Sequence, residues 1–290
     1  MKPAFSTLAC PEWTFLRLAE HAEKWGFLGC ELRTFGYGST QFACDPALTS
    51  PEKTRLLLER AGIEVVSLAT SIRYDDPVTP PVIGYVFGDR EKSVRESKSA
   101  IDLAVRMECP YVRVFGFEIV GSESRRSALA RITDRLRKAA DHARNSGVKL
   151  LVENGGSFST AVQLSELLDS VGSELVEAAY SVPVAALSGE TAANGVNVLG
   201  ERLACVKLRE YKDGKPCGLG EGEFDNRGAV EALARAGFRG WVVYEYDRAW
   251  SKEQTADVDQ VMKASAMKLF EWIERGRGLS KRPDLERVGQ

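Results

Sequence analysis

One recurring phrase punctuates the sequence, and its repetition limits the architecture more than any single motif does. An amphipathic helical stretch ends near a glycine, and a short β-rich run follows at once. It reads KWGFLGCELR at 24–33, RAGIEVVSLAT at 60–70, NSGVKLLVENGG at 145–156 and RAGFRGWVVYEYD at 235–247. Each glycine suits a helix C′ position, where the backbone turns left-handed. Looser versions occur at MECPYVRVFGF (107–117), SELVEAAYSV (173–182) and ERLACVKLRE (201–210). With PAFSTLA (3–9) at the start, the chain offers eight candidate strands.

Between them lie helical patterns such as PEWTFLRLAEHAEKWG, with Pro11 near the first turn, and SALARITDRLRKAADHARNSG, with apolar residues three and four apart. Strands alternating with helices imply parallel βαβ units, and eight of them in about 250 residues is the size of a single (β/α)8 TIM barrel of the α/β class. A doubly wound open sheet is the rival, but no G-x-G-x-x-G follows the first strand to support a dinucleotide fold. The barrel is expected to occupy residues 1–275, with GRGLSKRPDLERVGQ (276–290) as a peripheral tail after the last helix. Two long connections, SIRYDDPVTPPVIGYVFGD (71–89) and FEIVGSES (117–124), are expected over the C-terminal mouth, the first as either a lid or a solvated insertion.

A chain of 290 residues, 44% of them hydrophobic, can build a large core. Its 39 basic and 41 acidic residues form no long run of one sign, which argues against nucleic acid or a membrane surface as partner and favours a small polar ligand. The six cysteines include no C-x-x-C pair, and no charged segment precedes an apolar one at the N-terminus. No apolar run approaches the roughly 20 residues that span a bilayer. A soluble, cytoplasmic protein with reduced thiols is the expectation.

Glu153 ends the run KLLVE, Glu245 ends WVVYE and Lys207 lies near the end of LACVK. All three should therefore stand at the C-terminal ends of barrel strands, where such barrels do chemistry. A lysine inside a strand is expensive to bury unless something pairs it. Asn154, Arg209, Arg33 beside Glu31, and Arg113 are further candidates at the mouth. Arginines suit bidentate recognition of carboxylate or phosphate, although Arg33 and Arg113 read equally well as partners of barrel carboxylates. Tyr244, Tyr246 and Trp250 either stack on a sugar ring or pack within the protein. The segment GLGEGEF lacks the lysine and hydroxyl of a phosphate-binding Walker loop.

From GFLGCELR through LLVENGG to GLGEGEFDNRGAVEALARAGFRGWVVYE, the sequence resembles the xylose-isomerase-like TIM-barrel superfamily, the sugar phosphate isomerases and epimerases. The last block is the most specific, with G-x-G-x-h-D followed by a helix and then G-[aromatic]-x-G-x-x-x-x-E. The resemblance implies one divalent metal held by Glu, Asp, His and Glu at the ends of strands five to eight. Glu153 and Glu245 match the two glutamates. Ser181, in Ser181-Val182-Pro183-Val184, stands where a D-x-x-H motif is usual, and Lys207, in Lys207-Leu208-Arg209-Glu210, stands where the histidine of H-x-K-D is usual. His21 and His142 fall in helical patterns and supply no replacement.

Serine is a poor ligand for a divalent cation and an ammonium is none, so no cofactor is expected; any divalent metal would be held weakly through Glu153 and Glu245. Lys207 between those glutamates would leave the site with the charge that the metal would have left it. By resemblance, Glu153 and Glu245 inherit base and acid roles, and Lys207 hydrogen-bonds a developing enolate oxygen. Two flanking carboxylates disfavour imine formation by keeping Lys207 protonated.

The function implied is that of a sugar or sugar-phosphate isomerase or epimerase. It would move a proton next to the carbonyl of a small polyhydroxy compound without the usual metal. The alternatives are a non-catalytic carbohydrate-binding or regulatory barrel that has lost its metal site, and a keto-inositol or keto-acid dehydratase. Endonuclease IV-like hydrolysis would need several histidines that the chain does not have. Because many relatives are dimers or tetramers, a homo-oligomer stays open.

Overall fold

A computed structural model describes residues 1–76, 91–119, 121, 123–251 and 256–280. Residues 77–89 of the proline-rich connection therefore lie outside the described residues, as do 281–290 of the expected tail. Numbering the barrel strands alone, β1 is Lys2–Ser6, β2 Gly29–Phe35, β3 Glu64–Arg73 and β4 Tyr111–Phe115. They are followed by β5 Lys149–Glu153, β6 Val176–Ser181, β7 Leu203–Leu208 and β8 Trp241–Tyr244. Each pairs in parallel with the next, and β1 pairs both with β8, Lys2 opposite Trp241, and with β2, Ala4 opposite Gly29. The sheet closes on itself. This is the single (β/α)8 barrel that the eight strand signals imply.

The helices are α1 Phe15–Trp25, α2 Pro51–Arg60, α3 Lys92–Arg106, α4 Arg125–His142 and α5 Ala161–Val171, then α6 Val182–Leu187, α7 Ala192–Leu199, α8 Asn226–Arg235 and α9 Val258–Ser280. Gly26, Gly62, Gly147 and Gly237, the glycines of the recurring phrase, all have positive φ, between 71° and 90°. The left-handed turn between helix and strand is thus present in all four copies. Two boundaries differ from expectation. Thr14 caps α1 through its side chain, so Pro11 lies in the turn ahead of the helix. The last helix runs to Ser280, past the expected barrel boundary at 275, because Gly276 lets it lie close against Ala234 and Glu231 of α8.

Strand periodicity aims the candidate residues. Val206 and Leu208 belong to the large core between strands and helices, whereas Cys205 belongs to a separate cluster inside the barrel. Lys207 must then point inward, two positions above Cys205. The same alternation turns Glu153 inward above Leu151, Ser181 above Ala179 and Glu245 above Val243. The layer below them is kept small by Ala4, Ala179 and Gly29; a Cβ on Gly29 would meet Trp241 and Val66, each at 2.6 Å. Small residues beneath and long charged ones above leave a polar layer at the C-terminal end of the barrel.

Candidate active site

Lys207 is completely buried, and its ammonium donates to Glu31 Oε1 and, at 2.8 Å, to Glu245 Oε1. The second oxygen of Glu31 accepts from Ser67 Oγ at 2.7 Å, and that of Glu245 accepts from Arg209 Nε. This corrects the expected pairing. Lys207 joins Glu31 and Glu245, while Glu153 pairs with Arg113 at 3.4 Å and more distantly with Arg209 at 3.9 Å. Register explains the exchange: β7 lies beside β8, and Glu31 on β2 reaches across the barrel. Glu153 on β5 is instead next to Arg113 on β4.

Burial opposes charge on Lys207, but Glu245, Glu31 and Glu153 outweigh it and raise the lysine above its usual pKa. Burial would likewise raise Glu245, yet Arg209, Lys207 and Arg113 hold it well below the usual carboxylate range. For Glu31 burial wins, and its carboxyl is raised despite Lys207. Lys207 is thus a fixed ammonium, unsuited to imine formation, and Glu245 a fixed carboxylate.

Arg33 donates to Ala69 O at 2.5 Å and to Ser71 Oγ, which ties it to β3. The Asn154 amide is engaged by the backbone: Oδ1 accepts from Ser181 N at 2.6 Å, and Nδ2 donates to Ser159 O at 2.9 Å and Ser181 O at 3.2 Å. It clamps the ends of β5 and β6 together. Arg113 is different. It is buried, lies over the Phe115 ring at 4.5 Å and makes no hydrogen bond to the described residues. Its Nε and Glu153 Oε2 face each other without hydrogen-bond alignment, and Ser181 Oγ also has no partner.

Trp250 stands at the rim, 60% exposed, with its ring edge-on to Phe35 at 5.7 Å. It borders a groove of about 350 Å³ together with Tyr211, Lys215 and Asp247. Asp247, absent from the sequence reading, accepts from Tyr211 and lies 3.5 Å from Arg209. Its signal was available in YEYD, where alternation points residues 245 and 247 the same way. Tyr244 and Tyr246 are buried and stacked on each other, so both pack within the protein. The GLGEGEF segment is pinned by Glu210, which accepts from Gly220 N and Phe224 N, both at 3.1 Å, and from Asn226 Nδ2 at 2.9 Å. His21 and His142 sit on α1 and α4, each bound to a surface aspartate.

The sequence matches the profile of the xylose isomerase-like TIM barrel over residues 19–267. The chain belongs to the xylose isomerase-like TIM barrel family. Among solved structures, an L-ribulose 3-epimerase is similar at 15% identity with a TM-score of 0.78, over 97% of this chain and 99% of the other. The IOLI protein with a bound zinc atom aligns at 16% identity and TM-score 0.73, over 95% and 99%. The probable 3-DHS dehydratase AsbF from Bacillus anthracis aligns at 14% identity and TM-score 0.73, over 93% and 99%. No curated protein matches the sequence. Among the described residues, no group of three or more His, Cys, Asp or Glu could hold a metal ion, and no helix is long and apolar enough to cross a membrane.

Proposed function

We propose that this barrel is a carbohydrate isomerase or epimerase that moves a proton on the carbon next to a carbonyl of a small polyhydroxy compound. No divalent metal takes part in this reading. The donor set does not suit such an ion: both oxygens of Glu245 are engaged by cations, an ammonium stands in the histidine position, and what remains is the Glu153 carboxylate, itself facing two arginines, and a serine hydroxyl. Lys207 and Arg209 supply the fixed positive charge.

The observation that carries the reading is the state of Glu153. Its Oε2 is buried at the end of β5, faces Arg113 Nε at 3.4 Å and accepts no hydrogen bond from the described residues, which leaves it a lone pair for a proton from a bound carbon acid. Glu245, held by two cations, acts through its charge. Likeness in fold to an L-ribulose 3-epimerase supports the substrate class. A second reading, dehydration of a keto-inositol or keto acid, begins with the same proton abstraction and is supported by the likeness to a probable 3-DHS dehydratase.

The test is chelated protein in deuterium oxide with a panel of ketoses and keto-inositols, followed by proton NMR. Exchange at a carbon next to a carbonyl, surviving chelation and lost in Glu153→Gln, is expected. If sugars bind and no carbon exchanges, the barrel is a non-catalytic carbohydrate-binding protein.

A further inference from the structure

The polar layer is divided into two unequal halves. Toward β7, β8, β2 and β3 the long charged side chains on the strands are committed, Lys207 to Glu31 and Glu245, Arg209 to Glu245, and Arg33 to Ala69 and Ser71, while Asp247 just past β8 and Asp75 just past β3 each keep one oxygen without a hydrogen bond from the described residues. Toward β4, β5 and β6 stand three polar groups with atoms that make no hydrogen bond among the described residues, namely Arg113 Nε and Glu153 Oε2, which face each other as an ion pair at 3.4 Å, and Ser181 Oγ. Their residues are only 4%, 3% and 0% exposed. Burying polar atoms without hydrogen bonds is costly, and these three stand together on consecutive strands at the mouth of the barrel.

We infer that Arg113, Glu153 and Ser181 form the cradle for the reacting end of the substrate, with Arg113 as the oxyanion donor and Glu153 as the sole base, so that proton transfer stays on one face. The inference rests on the isomerase reading and narrows it to an aldose–ketose type of isomerisation, or to elimination on one face. Inversion of a carbon needs a second base opposite the first; Glu245 is tied up by Lys207 and Arg209, and Asp247, which keeps one oxygen without a hydrogen bond from the described residues, stands past the end of β8 in the rim groove beside Tyr211 and Trp250.

The donor pattern fits an α-hydroxy carbonyl. Arg113 has a planar fork for the carbonyl oxygen, and the Phe115 ring beneath it holds the guanidinium in place. Glu153 takes the proton from the hydroxyl-bearing carbon. That C–H electron pair becomes the new C=C bond, and the carbonyl π pair moves onto the oxygen facing Arg113. Glu153 then returns its proton to the former carbonyl carbon. The hydroxyl proton must meanwhile pass to the other oxygen. Ser181 can accept it and donate its own, so no atom is gained or lost.

Glycolohydroxamate, a planar anion resembling a two-carbon enediolate, is the probe, read by titration calorimetry. Saturable binding to the wild-type protein is expected, weakened about tenfold or more in Arg113→Lys, which keeps the charge and loses the fork. Ser181→Ala removes a hydroxyl with no partner, so it should keep the wild-type melting temperature while weakening the probe severalfold; it stands in if Arg113→Lys does not fold. No binding to wild type, or equal binding to wild type and the foldable variants, overturns the cradle. With any sugar that exchanges, carbon-bound deuterium should reappear in part on the neighbouring carbon of the product. Formation of an inverted epimer, or exchange at the wild-type rate in Glu153→Gln, overturns the single base. Probe binding that depends on Arg113, without exchange on any sugar, leaves the cradle standing and removes the isomerase reading.

Discussion

Replacing Lys207 with methionine keeps most of the side-chain volume and removes the one buried ammonium among the described residues of the polar layer. Glu31 then keeps the Ser67 hydrogen bond but loses its cationic partner, whereas Glu245 retains Arg209. Removing one member of a buried ion pair costs about 3–5 kcal/mol, because the partner left behind is desolvated and unpaired. For a chain of this size that corresponds to a fall in Tm of about 6–15 °C at neutral pH. The sign of the pH dependence follows from Glu31. Burial already raises its carboxyl, and without Lys207 it rises further. A carboxyl with a raised folded-state pKa binds its proton more tightly when folded, so stability increases as pH falls through that raised value. Lys207→Met should therefore recover stability as pH falls from the raised folded-state value of Glu31 toward its ordinary value of 4.5, and adding Glu31→Gln should restore part of it at neutral pH. Differential scanning calorimetry of wild type, both single variants and the double variant gives the coupling directly. A Lys207→Met protein melting within roughly 1 °C of wild type, with no added pH dependence, would refute the counter-ion argument.

Two other outcomes follow from the same geometry. Ser181→Asp combined with Lys207→His restores the family ligand types and should bind cobalt(II) with visible absorption bands, whereas the wild-type protein shows none on titration. Glu210→Ala removes a buried carboxylate that accepts from Gly220, Phe224 and Asn226; it should cost about 2–3 kcal/mol and speed amide exchange across residues 218–224, read by mass spectrometry.

The barrel was legible because its strands and helices are local events repeated many times. A glycine with positive φ before a β-rich run can be read from a few residues, and the run of such signals specifies a closed sheet. Their places at the ends of the runs LACVK and KLLVE likewise put Lys207 and Glu153 at the mouth. Pairing across the barrel could not be read in this way. Glu31 and Lys207 are 176 residues apart, and their contact depends on side-chain reach over the small layer of Ala4, Gly29 and Ala179. Motif matching tied Lys207 to Glu153 because both occupy family ligand positions, but a monovalent ammonium on a long stem pairs where its reach allows. Asn154 illustrates the same limit: its position beside Glu153 suggested a ligand contact, and its amide is engaged by the backbone of β6.

A metal and a lysine can balance similar charge, but they leave different sites behind. A divalent ion has open coordination positions through which substrate oxygens reach it, and it gathers its carboxylate ligands around one point. An ammonium on a strand has three donors, and here two are already given to Glu31 and Glu245. The positive charge is therefore spent on holding the layer together. Any oxygen that becomes negative during reaction must find its donor elsewhere, and the buried guanidinium without a hydrogen bond to the described residues is Arg113. In the proposed reading, a lysine at the position that the resemblance gives to a histidine places the electrophile on β4 and not on the β7–β8 side of the mouth. That reading makes Glu153, which faces Arg113 and accepts no hydrogen bond at Oε2 from the described residues, the carboxylate beside the electrophile that takes the proton.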